Sequence, residues 1–207
     1  MIFNILEISR SAVAQNLKLL RSTNKEVCCM VKGYSYGIGD DGIQLLIDQG
    51  VSFFGVSNFN EAVSLRKLNH DCNILITTYV DATDLHRAVE LNLIVTIFDF
   101  EGLSEVIPNL RYHLKIDTGM NRLGFCHSTI DQLLITLKNN NFSPEGIYSH
   151  LYNAADETAS LQQISQFELI LKQLSEFEFH YIHIHNSLGT IKYQTTFDNL
   201  VRPGLGL

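Results

Sequence analysis

The chain has 207 residues, 45% of them hydrophobic and 18% charged, which suits one folded domain with a substantial core and excludes a disordered chain. Its formal net charge of −7 disfavours a nucleic-acid backbone or an anionic membrane surface as partner. No apolar run approaches the roughly 20 residues that span a bilayer, and the opening M-I-F-N-I-L-E-I-S-R lacks the basic and long apolar regions of a secretion signal.

The elements follow in chain order. S-A-V-A-Q-N-L-K-L-L-R reads as an amphipathic helix. V-C-C-M-V-K is the first strand, ending at Lys32. Asp41 is placed to cap G-I-Q-L-L-I-D-Q, with Gly50 just past its end. F-F-G-V-S, ending near Ser57, is the second strand. Asn58 and Glu61 then have the spacing of a capping box, ahead of a helix with Ala62, Leu65 and Leu68 on one face. N-I-L-I-T-T begins a third strand at Asn73, L-I-V-T-I-F ends a fourth at Phe98, and Y-H-L-K-I ends a fifth at Ile116. E-G-I-Y-S-H ends a sixth at His150. Leu161, Ile164, Phe167, Leu171 and Leu174 line one side of a long helix. H-Y-I-H-I-H ends a seventh strand at His185, and L-V-R-P-G-L-G-L closes the chain as the eighth.

Eight near-continuously apolar strands alternating with helices predict an α/β fold, a (β/α)8 TIM-type barrel spanning 1–207. An open doubly wound sheet is the alternative; no G-x-G-x-x-G follows the first strand to support it. The chain stops at the eighth strand, without a helix to cover it, so a fragment of a longer polypeptide or a shortened one is expected. Cys28, Cys29, Cys72 and Cys126 lack metal-ligand spacing and suit a reduced, cytoplasmic setting.

In such a barrel the C-terminal strand ends face the active site. That rule gathers Lys32, Lys115, Asp117, His150, His183, His185, Asn186, Ser187, Arg202 and Gly204. The set is cationic within an acidic protein, which points to an anionic ligand. Phosphate sites in barrels commonly use the loops after strands seven and eight, here Ser187 and the amides around Gly204 and Leu205, and the hydroxyl of Tyr36 can join them. Lysine forms a Schiff base with an aldehyde. Lys32, expected to be buried near Arg202, is placed to hold a carbonyl cofactor whose phosphate the Gly-rich loop approaches. The histidines at 150, 183 and 185 also raise a metal site, but no acidic or thiol ligand accompanies them at recognisable spacing.

V-K-G-Y-S-Y-G-I-G resembles the cofactor-lysine signature of alanine racemases, which use pyridoxal 5′-phosphate. H-L-K-I-D-T-G-M-N-R-L-G-F, E-G-I-Y-S-H, H-N-S and V-R-P-G-L-G-L follow in the family's order. The resemblance implies an isomerase that interconverts L- and D-alanine by two-base proton transfer at Cα, supplying D-alanine for a cell wall. It implies that Lys32 binds the cofactor aldehyde and serves as one base, and that Tyr36, Ser187 and the backbone at Gly204 and Leu205 hold the phosphate. Arg202 then donates to the pyridine nitrogen, His183 positions Arg202, and His150 packs on the cofactor. Arg122 lies near the cofactor's phenolic oxygen and the substrate carboxylate, and Lys115 is the lysine often carbamylated in the family. The second base, a tyrosine, belongs to a β-rich domain outside this chain and acts across a homodimer interface; the barrel alone is therefore expected to turn over poorly. Gly33, Asn121, His185 and Leu188 depart from the family's pattern. A serine or broad-specificity racemase, a decarboxylase on a similar barrel, and a non-catalytic single-domain carrier of the cofactor are the alternatives.

Overall fold

Eight strands alternate with helices, as the apolar runs predict: β1 (Glu26–Met30), β2 (Phe53–Val56), β3 (Asn73–Ile76), β4 (Ile94–Ile97), β5 (Arg111–Lys115), β6 (Gly146–Tyr148), β7 (Tyr181–His183) and β8 (Leu200–Val201). The structure, a computed structural model, describes residues 6–206. All neighbouring strands pair in parallel, in the order β7-β6-β5-β4-β3-β2-β1-β8. The helices are α1 (Arg10–Arg21), α2 (Asp40–Asp48), α3 (Phe59–Leu68), α4 (Leu85–Glu90), α5 (Phe100–Ser104), α6 (Ile130–Asn139), α7 (Glu157–Gln173) and α8 (Ser187–Lys192). None is long and apolar enough to cross a membrane.

The seam between β7 and β8 nearly closes the barrel. Asn186 and Arg202 form a parallel bridge, with the Arg202 amide donating to the His185 carbonyl at 3.0 Å. Lower down, the side chain of Asn199 acts as a strand partner: its amide nitrogen donates to the His180 carbonyl and its oxygen accepts from the Ile182 amide. Backbone groups that a missing ladder would leave unpaired are thereby satisfied.

Strand parity sorts the residues. Cys28, Met30, Phe53, Leu75, Ile94, Tyr181 and Leu200 fill the lower barrel interior. Val27, Cys29, Phe54, Ile74, Val95, Leu114, Ile147 and Val201 face outward into the core shared with the helices. Above the apolar plug lies a buried polar layer of Thr96, His113, Lys115, His183 and Arg202. This double burial explains the continuous apolar reading of the strands.

Several boundaries differ from expectation. β1 ends at Met30, so Lys32 lies beyond the strand; β6 and β7 end two residues before His150 and His185. Gly39, not Asp41, is the N-cap of α2, and both Asp40 and Asp41 sit in its first turn, where the helix dipole favours them. Asn58 caps α3 by accepting from the Glu61 amide, and the Glu61 carboxylate, besides the Asn58 amide that a capping box uses, reaches the Ser57 and Gly33 amides. Leu68 and Leu161 point to solvent, while Ile164, Phe167 and Leu174 are buried as their spacing requires. No helix follows β8 among the described residues; α1 sends Leu17 and Leu20 into the core ahead of β1.

Candidate functional site

Above the polar layer opens a cavity of about 430 Å³. Lys32, Tyr36, Lys115, Arg122, His150, Ser187, Arg202, Gly204 and Leu205 all line it; of the strand-end set, Asn186 does so too, whereas Asp117, His183 and His185 do not. Four of its lining side chains are lysine or arginine and none is a carboxylate. His183 lies one layer beneath, fully buried. His185 turns the other way, to Asp198 at 3.0 Å. The three histidines therefore do not converge as a metal site would require.

Lys32 opens a turn that winds left-handed. Gly33, Tyr34, Ser35 and Tyr36 have φ of 62, 57, 55 and 53°. The turn carries Tyr36 back over the chain's end, where its hydroxyl lies against Gly204. A Cβ on Gly204 would sit 2.5 Å from that oxygen, so any larger residue there would push the Tyr36 ring aside. Ser187 Oγ accepts from the Gly204 amide at 2.9 Å and the Gly206 amide at 3.2 Å. The hydroxyl protons of Ser187 and Tyr36 remain to meet an anion between them.

Lys32 is half-buried. The deeply buried lysine is Lys115, 3% exposed, its Nζ without a hydrogen-bond partner. Burial, with help from Arg202 and Arg122 against the opposing Asp117, brings its pKa down to about 7. Its ammonium faces the Tyr148 ring at 5.1 Å, and the Arg202 guanidinium approaches the same ring at 4.9 Å. Tyr148 stacks on His183 with centroids 4.7 Å apart, and its hydroxyl bonds Thr96 at 2.9 Å. Sequence reasoning missed Tyr148. It shares the inward parity of His150 two residues later, a signal that was available.

Arg202 is held from several sides. Its Nη2 donates to the Ser149 carbonyl at 2.7 Å and to His150 Nδ1 at 3.3 Å, and its Nη1 bonds His183 Nδ1. A guanidinium only donates, so His183 Nδ1 accepts and its proton lies on Nε2, which reaches His113 Nδ1 at 2.9 Å. His113 thereby also carries its proton on Nε2. Burial first, and Arg202 beside them, holds His150 and His183 well below the usual histidine range; burial and neighbouring cations bring His113 to about 3.

Arg122 is exposed on a loop organised by Asp117, whose carboxylate accepts from the amides of Gly119, Met120 and Arg122. Burial would raise the Asp117 carboxyl, but these amides outweigh it and hold the group below its ordinary value. The loop then returns so that the Phe125 amide donates to the Lys115 carbonyl at 2.9 Å.

Compared with known proteins, residues 8–207 match the family model for the alanine racemase N-terminal domain. The chain belongs to the alanine racemase family. The alanine racemase of Fusobacterium nucleatum is 33% identical over 214 residues, covering 98% of this chain and 60% of the relative. That of Borreliella burgdorferi is 31% identical over 212 residues, covering 96% and 57%. Among solved structures, the Bacillus anthracis alanine racemase with bound L-Ala-P superposes with TM-score 0.85 at 25% identity, covering 95% of this chain and 55% of that one. The Acinetobacter baumannii alanine racemase gives 0.84 at 25% identity, covering 96% and 61%. The chain thus spans about 60% of the length of these alanine racemases.

Proposed function

We propose that this chain is the cofactor-binding barrel of an alanine racemase, cytoplasmic and homodimeric in its full-length form, that binds pyridoxal 5′-phosphate through Lys32. The observation carrying the reading is a cavity lined by four lysine and arginine side chains and no carboxylate, with Lys32 on its wall and two hydroxyls, Tyr36 and Ser187, beside Gly204. Those residues fit the group. Tyr36, Ser187 and the Leu205 amide would take its phosphate, with the Gly204 and Gly206 amides holding Ser187 in place; Arg202 would take its ring nitrogen and His150 its face. When bound, the cofactor supplies a conjugated ring that draws charge from the substrate Cα.

The protein's own groups set the rest. Arg202 has donors and no lone pair, so it can point a hydrogen at a ring nitrogen but cannot take a proton from it. The neutral His183 and His150 accept from Arg202 and keep its plane fixed. Arg122, exposed at the mouth, is placed for a substrate carboxylate. Lys32 Nζ, on the cavity wall, would take or return the Cα proton on one face. With burial bringing its pKa down to about 7, Lys115 has a sizeable unprotonated fraction near neutral pH, the form carbamate formation needs, and the resulting anion would answer Arg122. The second base would come from outside this chain.

Borohydride reduction in the presence of pyridoxal 5′-phosphate tests the reading. Intact mass is expected to rise by one reduced cofactor, with peptide mapping placing it on Lys32 and Lys32→Ala abolishing it. A label elsewhere, or an undiminished label in Lys32→Ala, would refute the assignment. In deuterated buffer the labelled-competent chain should exchange the Cα proton of alanine without interconverting its enantiomers.

A further inference from the structure

The left-handed turn after Lys32 is costly. In that conformation Cβ crowds the following carbonyl oxygen of any non-glycine residue, and Tyr34, Ser35 and Tyr36 are three in succession. Something must over-determine it. Backbone bonds inside the turn, Gly37 amide to Gly33 carbonyl and Gly39 amide to Tyr34 carbonyl, do not fix where the turn points. Its start is tied to a different unit of the barrel. The Gly33 amide donates to Glu61 Oε1 at 2.8 Å, and Glu61 belongs to the first turn of α3.

The other oxygen of that carboxylate is anchored. Glu61 Oε2 accepts from the Ser57 amide at 2.7 Å and from the Ser57 hydroxyl at 2.8 Å. The Ser57 carbonyl in turn accepts from the Thr78 hydroxyl, so the ends of β2 and β3 are linked to the carboxylate. Burial would raise the Glu61 carboxyl, but the donors from Ser57 and Gly33 prevail and keep it below its ordinary range, ionised at neutral pH. Both oxygens are therefore strong, charge-assisted acceptors.

We propose that Glu61 is a positioning residue for the cofactor lysine: its carboxylate, braced on Ser57, clamps the Gly33 amide and so aims Lys32 and Tyr36 into the same cavity. The proposal rests on the reading of Lys32 given above. It gives the acidic member of the capping-box pattern a task beyond the helix it opens.

The experiment compares Glu61→Ala, Glu61→Gln and Asn58→Ala. Asn58 caps the same helix through the Glu61 amide and touches neither Gly33 nor the cavity; its amide nitrogen also donates to Ser57 Oγ at 3.2 Å, and its removal leaves both Ser57 donations to Glu61 in place. Two readouts are taken: amide hydrogen exchange at Gly33 without cofactor, and pyridoxal 5′-phosphate trapped on Lys32 by borohydride as a function of its concentration. Glu61→Ala is expected to speed Gly33 exchange and weaken trapping, each by about ten-fold or more, the size of one charge-assisted hydrogen bond. Glu61→Gln keeps one acceptor and should fall between. Asn58→Ala should lower the melting temperature yet leave both readouts within about two-fold, because a lost cap acts on helix stability. Unchanged Gly33 exchange in Glu61→Ala overturns the clamp, as does a loss of trapping in Asn58→Ala equal to that in Glu61→Ala. A wild-type chain that traps no cofactor defeats the function above, and Gly33 exchange then decides by itself whether Glu61 holds the turn.

Discussion

Lys115 and Lys32 share a cavity but not an environment. Lys32 is half-buried on a turn, while Lys115 sits in the barrel interior with no partner for its Nζ. A lysine whose folded pKa falls to about 7 from 10.5 binds fewer protons than in the unfolded chain between those values. Stability should therefore rise with pH across that window, by about 1.4 kcal/mol per pH unit in carbon-dioxide-free buffer. Lys115→Met removes the penalty of burying an ammonium. Urea titrations should find it more stable than the parent at pH 7, with the advantage shrinking towards pH 10. An advantage independent of pH would show that packing, not ionisation, separates the two chains. The reasoning that expected burial of Lys32 had the right physics attached to the wrong lysine, because sequence tells which residues sit near strand ends but not how deep each lies.

At the scale of elements, the β5 loop shows how tightly the site's supports are built. Gly124 has φ of 130°, and a Cβ there would meet the Asp117 amide nitrogen at 2.6 Å. Backbone cannot yield as a side-chain tip can. Gly124→Ala is expected to cost ~2–3 kcal/mol of stability by urea unfolding, through strain and displacement of the loop that carries Arg122. The R-L-G-F pattern around it was readable as a motif, though its reason appears only when the loop folds back on Lys115. The strands were legible because apolar runs of four to six residues separated by capped helices leave few alternatives. Their ends were less so: Lys32, His150 and His185 extend polar or apolar runs beyond the last ladder residue. The turn at Gly33–Tyr36 could not be read at all, since two tyrosines and a serine give no hint of positive φ. Glu61, from the neighbouring unit, supplies what local sequence does not.

For the molecule as a whole, the barrel closes over ionisable groups it must keep uncharged. His113 and His183 are fully buried and held neutral below the usual histidine range. In the unfolded chain both take up protons as pH falls through about 6.5. The folded state then binds fewer protons, so stability is lost on acidification, by about 1.4 kcal/mol per pH unit for each histidine. Acid unfolding monitored by circular dichroism should begin near pH 6, before most carboxylates protonate. His113→Asn, which cannot charge, should flatten that limb; an unaltered acid limb would mean His113 contributes nothing to it. The exposed Tyr34 has a further implication for chemists who assemble chains by ligation. Its backbone is the mirror image of an ordinary helical residue, so a D-tyrosine there fits the conformation that its natural enantiomer adopts only under compulsion.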